Sequence, residues 1–366
     1  MPIEPSRIEA NLCDMVDIES VTGNENQLMS YIQGVLRGYG ITYTEIEMGD
    51  GRYNLLASVG EGSPVLCLNA HSDTVPPSGR SVAKSRVERG VVYGLGSCDD
   101  KASIAAMLGA FLELSKEDLR GRVDLLVSVD EEISSQGVRR CIEKGYHCDY
   151  AVVGEPTGLD PVVAHSGLMF LDLVATGSGG HGSSPWTGRN AIEEVFRAYR
   201  RLEEVVSSFP SHPVLGPPST NLGVIRGGDA PNRIPDRCEA KVDVRVMPGT
   251  SLSAVEQALI DAVAVLGSSV RIWKRGKPME VAQDSKLLST IVQKVRERTG
   301  REARPIGFRG WTEADPFRND INADALVLGP GQVDKAHSPD ESVKLAEVVD
   351  AAHIYFETAL QLVGVG

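Results

Sequence analysis

Five potential metal ligands stand on five separate stretches of this chain: His71, Asp99, Glu132, Glu155 and His337. Each falls in a short sequence expected at a strand end or a tight turn. Together they supply two imidazoles and three carboxylates, a set suited to a pair of divalent ions such as zinc. Chemistry at a metal pair is therefore the leading expectation. In His71-Ser72-Asp73 the period of two puts both reactive side chains on one side, so the carboxylate can be held near the imidazole or its surroundings. The adjacent carboxylates Asp130-Glu131-Glu132 repel one another; a cation nearby relieves that repulsion while one glutamate stays unligated and takes protons.

Other stretches carry chemistry of their own. Gly94 to Lys101 ends a strand and opens a helix, and one of Asp99 and Asp100 is expected to cap that helix. The stretch lacks the third glycine of a dinucleotide loop, and Lys101 follows at once, which argues against a nucleotide there. His181 sits in a glycine-rich loop, Gly177 to Pro185, and is expected to be exposed. Arg233 lies in the turn-rich run Gly227 to Pro235 and Arg245 on the strand after it. A guanidinium suits a carboxylate ligand, with a surface ion pair as the alternative.

These residues need elements to hold them. Helices are expected near residues 4–20 and 24–39, with strands at ITYTEIEM, NLLASV and PVLCLNA, then the helix KASIAAMLGAFLELS. The strand VDLLVSV, a helix through GVRRCIEKG and the strand YAVVG follow. Such alternation predicts an α/β domain around a mostly parallel, buried sheet, with the ligands at strand ends where loops converge. From about Leu168 the order changes to strand, helix, strand, strand, helix, strand, which suggests an inserted α+β module of ferredoxin-like βαββαβ order. Past Pro278 the α/β pattern resumes. The expected domains are thus 1–167 with 278–366, carrying the metal ligands, and 168–277 as the insertion.

A length of 366 residues agrees with two domains of unequal size. The formal charge of −13 argues against a nucleic-acid partner. Six scattered cysteines without a CxxC pair, and an N-terminus without an apolar run, fit a reducing cytoplasm. No stretch approaches the ~20 apolar residues that span a bilayer, so no membrane association is expected.

Taken in order, HSDTVP, GLGSCDDK, DEE, GEPT, GGHGSSP and AHSPDE, arranged around an inserted small domain, resemble the M20 metallopeptidase family over nearly the whole chain. GEPTGLDPVVAHSG, TNLGVIRGGDAPNRI, WTEADPF and LVLGPGQVDKAHSPDE are more similar to its acetylornithine deacetylase group than to its succinyl-diaminopimelate desuccinylases. Three features depart from the family pattern: a short stretch between Pro76 and Gly90, Ala102 where a glycine is usual, and Ser166 where a basic residue is common.

The resemblance implies a zinc-peptidase-like catalytic domain with an inserted dimerisation domain, and two zinc ions for which cobalt may substitute. In that pattern Asp99 bridges the ions, His71 and Glu155 complete one site, and Glu132 and His337 complete the other. Asp73 orients His71, and Glu131 is the general base. His181 reaches the reaction centre from the inserted domain, within its own chain or from the partner of a homodimer. Asn232 and Arg245, with Arg233 as a weaker candidate, bind the substrate α-carboxylate and neighbouring polar atoms. The implied reaction removes the acyl group of an N-acyl amino acid, foremost N-acetyl-L-ornithine in arginine biosynthesis. Glu313 and Asp315 then offer carboxylates to ornithine's terminal ammonium, while Arg309 or Arg318 leaves the desuccinylase reading open. A non-catalytic zinc-binding scaffold is the rival from another class; the presence of both Glu131 and Asp73, which bind no metal in this reading, argues against it.

Overall fold

The computed structural model describes residues 3–77 and 84–366. The chain divides into two compact units. One comprises Met1–Val163, Val281–Ile306 and Thr312–Gly366; the other comprises Ala164–Glu280 and Gly307–Trp311. Against the expected insertion of 168–277, the second unit begins at Ala164, ends at Glu280 and also takes in the short return Gly307–Trp311.

Four parallel strands form the middle of the first unit's sheet, in the order Arg122–Ser128, Val65–His71, Tyr150–Val153, Asp324–Val327. Their side chains are buried almost without exception, as strands covered on both faces require. Tyr53–Gly60 and then Tyr43–Glu47 extend the sheet antiparallel at one side. The crossover through helix Lys101–Leu114 moves one way along the sheet and that through Gly137–Glu143 moves the other. Right-handed connections therefore set these two helices on opposite faces.

Helix Lys101–Leu114 is buried over all fourteen of its residues, packed against strand Val65–His71 and helices Pro5–Val16 and Leu345–Val363. Its small side chains, among them Ala102, Ala105, Ala106 and Ala110, permit that close approach. No helix among the described residues is long and apolar enough to cross a membrane.

The second unit is a four-stranded antiparallel sheet in the order Ser219–Gly227, Arg237–Val246, Gly167–Thr176, Ser268–Gly276. Alternation along Arg237–Val246 buries Cys238, Ala240, Val242, Val244 and Val246 against helices Ala191–Ser207 and Leu252–Ala264. Asn190 and Ser251 cap those helices through side-chain oxygens. Chain order and sheet order together give the ferredoxin-like βαββαβ arrangement.

A small sheet of three short strands, Ser342–Lys344, Val91–Tyr93 and Arg86–Glu88, lies outside the sequence expectations. It draws the segment after His337 alongside the segment before Asp99.

Candidate metal centre

The parallel sheet brings its carboxyl-terminal edge to one place. His71 pairs across from Ser128, and Asn69 from Val153, so the chain leaves adjacent strands toward Asp130-Glu131-Glu132 and Glu155. At that edge His71 Nδ1 lies 2.9 Å from the main-chain oxygen of Asp73, while its Nε2 lies 3.0 Å from Asp99 Oδ1. The other oxygen, Asp99 Oδ2, is 3.2 Å from His337 Nε2, which is also 2.9 Å from Glu132 Oε1. Donor atoms of His71, Asp99 and Glu155 all lie within 4.8 Å of one another, and so do those of Asp99, Glu132 and His337. All five residues singled out as ligands thus converge, with Asp99 common to both sets.

The electrostatics fit cations at this place. Desolvation pushes the Glu155 carboxyl well above its ordinary range, and the charges of Asp99 and Glu131 push the same way. Glu131 is likewise held high by desolvation; His71 opposes this, and Glu132 and Glu313 add to it. Burial also opposes the charge of Asp99, yet hydrogen bonds from His337 and His71 outweigh it and hold that carboxyl well below its ordinary range. His337 is raised to about 10 by its bonds to Asp99 and Glu132. A cluster with this many carboxyls and only two imidazoles, all hard or borderline donors, matches two divalent ions sharing one carboxylate.

Backbone contacts hold the acidic loop. Asp73 accepts the N–H of Glu131 at 3.0 Å through one oxygen and that of Glu132 at 3.1 Å through the other, and Thr22 donates to it at 2.7 Å. Asp130 adopts a left-handed φ of 69° and is paired with Arg52 at 3.2 Å. Sequence reasoning missed Thr22 and Arg52. Their only trace is a polar type in an unremarkable turn.

Two expectations at this edge are corrected. Asp100 stands at the start of helix Lys101–Leu114, but its side chain makes no capping bond. Both of its carboxyl oxygens are buried without a hydrogen-bond partner among the described residues, and burial raises its pKa. Glu313 and Asp315 do not present open carboxylates to an ammonium group. Glu313 is buried and accepts from Ser128, and Asp315 is buried against Arg139 at 2.5 Å.

Glu341 and Lys101 were also missed. Glu341 accepts the N–H groups of Cys98 and Asp99, and Lys101 Nζ donates to Ile18 O at 2.8 Å, with burial lowering its pKa to about 8. Both line a cavity of about 230 Å³ beside His337, with Ile18, Thr74 and Pro76. The shortened stretch between Pro76 and Gly90 falls partly outside the described residues. Cys98 is buried, and its thiol is pushed up by that burial.

In the second unit, Gly180–His181 pairs antiparallel with Arg233–Ile234, and Gly182 N–H donates to Asn232 O at 2.8 Å. His181 and Asn232 are thereby brought together, both exposed. Ser183 Oγ lies 2.7 Å from His181 Nδ1. Arg245 instead pairs with Asp243 at 2.9 Å and lies over the ring of Phe170, and Arg233 pairs with Asp229. Arg309 is committed to the main-chain oxygens of Leu215 and Pro217.

Residues 67–361 match the family model described as peptidase family M20/M25/M40. The chain is 33% identical, over 361 residues, to an acetylornithine deacetylase of Vibrio cholerae, covering 93% of this chain and 92% of that one. It is 35% identical over 317 residues to an acetylornithine deacetylase of Aliivibrio salmonicida, covering 81% and 80%. A tripeptidase from Staphylococcus aureus has a similar structure, with a TM-score of 0.83 at 21% identity over 98% of this chain and 99% of that one. A dinuclear metal binding peptidase from Bacillus subtilis superposes with a TM-score of 0.72 at 16% identity, covering 98% of each chain. At such identities the two structures speak for the fold alone.

Proposed function

The chain belongs to peptidase family M20/M25/M40 and is a hydrolase of amide bonds, and on that premise we propose that it removes the acyl group of an N-acyl amino acid at a pair of divalent ions. The substrate we assign is N-acetyl-L-ornithine, giving L-ornithine and acetate in arginine biosynthesis; the names of the curated relatives support it. The observation that carries the reading is Asp99, whose two carboxylate oxygens face His71 on one side and His337 on the other.

His71, Asp99 and Glu155 would hold one ion and Asp99, Glu132 and His337 the other, zinc in this reading, with cobalt able to substitute. When bound, such ions lower the pKa of water towards ~7 and polarise a carbonyl. Glu131 takes the proton of the attacking water and returns it to the departing amine, so acid and amine leave with the proton count balanced. Asp73 keeps the His71 ring in orientation and holds the Glu131 backbone. His181 donates to the developing oxyanion after domain closure; one such donor is worth roughly 100- to 1,000-fold in rate. Asn232 and Arg245 bind the α-carboxylate and adjacent polar atoms. We assign a homodimer built through the inserted unit, and a cytoplasmic location, which the free state of all six cysteines supports.

The test is kcat/KM for acetylornithine, succinyl-diaminopimelate and several acetyl amino acids with zinc or cobalt supplied. Preference for the succinylated compound would reassign the substrate, and a flat profile would indicate a broad N-acyl-amino-acid hydrolase. Absence of hydrolysis in metal-loaded protein would leave a non-catalytic scaffold.

A further inference from the structure

The loop that carries Glu131 and Glu132 leaves strand Arg122–Ser128 and re-enters the fold at helix Gly137–Glu143. Two side chains from distant parts of the first unit close its neck. Asn54, wholly buried on strand Tyr53–Gly60, uses both ends of its amide. Its Oδ1 accepts the N–H of Val129 at 3.0 Å, and its Nδ2 donates to the carbonyl of Gly137 at 2.9 Å. One residue further out on each limb, Glu313 spans the same gap. Its carboxyl accepts from the Ser128 hydroxyl at 2.5 Å and from the Val138 N–H at 3.4 Å.

The two bridges are nested, and the neck is tight. A Cβ on Gly137 would sit 2.3 Å from Val129 O and 3.0 Å from Asn54 Oδ1. Glu313 is itself braced, since Ala314 N–H caps onto Thr312 Oγ1 at 3.2 Å and Asp315 is tied to Arg139 on the helix it faces. An amide can satisfy one donor and one acceptor at once, as Asn54 does, and a carboxyl can accept from two donors, as Glu313 does. Asn54 is assigned neither to the ions nor to substrate, and Glu313, expected from the sequence to face a substrate ammonium, is buried at this neck instead.

We propose that Asn54 and Glu313 are positioning residues for Glu131, closing the neck of its loop so that the proton-carrying carboxylate stays aligned with the reacting atoms. The inference rests on Glu131 being the proton carrier. Small displacements of a catalytic group are costly, and groups that orient such a site are typically worth about 10- to 100-fold.

The experiment compares Asn54→Leu, Glu313→Leu and Glu313→Gln in the metal-loaded protein by steady-state kinetics, metal content and hydrogen exchange over residues 130–136. Both leucine variants should lose about 10- to 100-fold in kcat with KM little moved and metal retained, and the loop amides should exchange faster. Glu313→Gln should restore both rate and protection, because its amide oxygen still accepts from Val138 and its nitrogen can donate to the Ser128 hydroxyl. A rise in KM confined to substrates with a cationic side chain, unrescued by glutamine, would instead make Glu313 a substrate ligand and overturn the proposal. Unchanged loop exchange in the leucine variants would overturn it as well. Should Asn54→Leu fail to fold, the Glu313 pair decides. Should the wild-type protein hydrolyse no amide, the assigned reaction fails, while the exchange data still show whether the neck is clamped.

Discussion

Glu341 accepts the main-chain N–H of Asp99 at 3.0 Å through Oε1, and the same oxygen takes the N–H of Cys98 at 2.9 Å. Glu341 lies four residues beyond His337, so this carboxylate fastens the segment of Asp99, common to both candidate clusters, to the segment of His337. Glu341→Ala should release both and weaken divalent-ion binding by about 10- to 100-fold. Competition with a chromophoric chelator measures it; unaltered affinity would show that Asp99 is held in place without Glu341.

Glu131 and Glu132 are neighbours with different surroundings. Both backbones are tied to Asp73, but the Glu132 carboxylate lies 2.9 Å from His337 whereas the Glu131 carboxyl belongs to neither candidate metal cluster. Glu131→Gln should therefore leave metal content intact and reduce kcat severely, because an amide cannot accept the proton. Glu132→Gln should lower metal content first. Near-normal kcat in the Glu131 variant would reject its role.

Burial raises the Glu313 carboxyl from its ordinary value of 4.5 to about 7; the charge of Asp73 adds to this, and the Ser128 bond and His71 oppose it. The folded metal-free protein then holds this proton more tightly than the unfolded chain. The group's contribution to stability is full below about pH 4.5 and is lost as the pH rises through about 7. Glu313→Gln lacks the titration, so the stability of wild type relative to this variant should fall across that window by up to about 3 kcal/mol. Urea unfolding of both proteins at stepped pH reads the difference; a constant gap would contradict the assignment.

His181 is exposed on a two-residue strand beside Asn232. His181→Ala should lower kcat by roughly 100- to 1,000-fold with little loss of metal. Mixing it with Glu131→Gln distinguishes two arrangements. Recovered activity in mixed dimers would place His181 across the subunit boundary, and none would place it within one chain.

Much of this architecture was legible because burial leaves a compositional trace. Runs such as Val65–Leu68, apolar throughout, mark strands covered on both faces, and the βαββαβ order of the second unit follows from its periodicities. Strands of three residues, such as Val91–Tyr93, hold too few periods to be read. The residues of the two candidate metal clusters were recognisable by type, and His71, Glu132 and Glu155 also by their position at or just after apolar strands. Glu313 was misread because a sequence shows a charge but not what surrounds it, and here the surroundings are Ser128 and Val138. Asn54 did leave a signal, a lone amide at the head of an apolar strand, but its two partners lie more than seventy residues away.

Helix Lys101–Leu114 has no solvent side. An ordinary amphipathic helix can accumulate neutral replacements along its wet face, whereas here every position faces a neighbour, and even Gly109 would bring a Cβ within 3.2 Å of Ile8. Two residues before its first turn stands Asp99. Sequence drift in this helix is thus confined beside the candidate metal centre, and a saturation library over residues 101–114 should return mainly side chains of nearly unchanged volume, while the exposed face of Ala191–Ser207 should accept wider replacement.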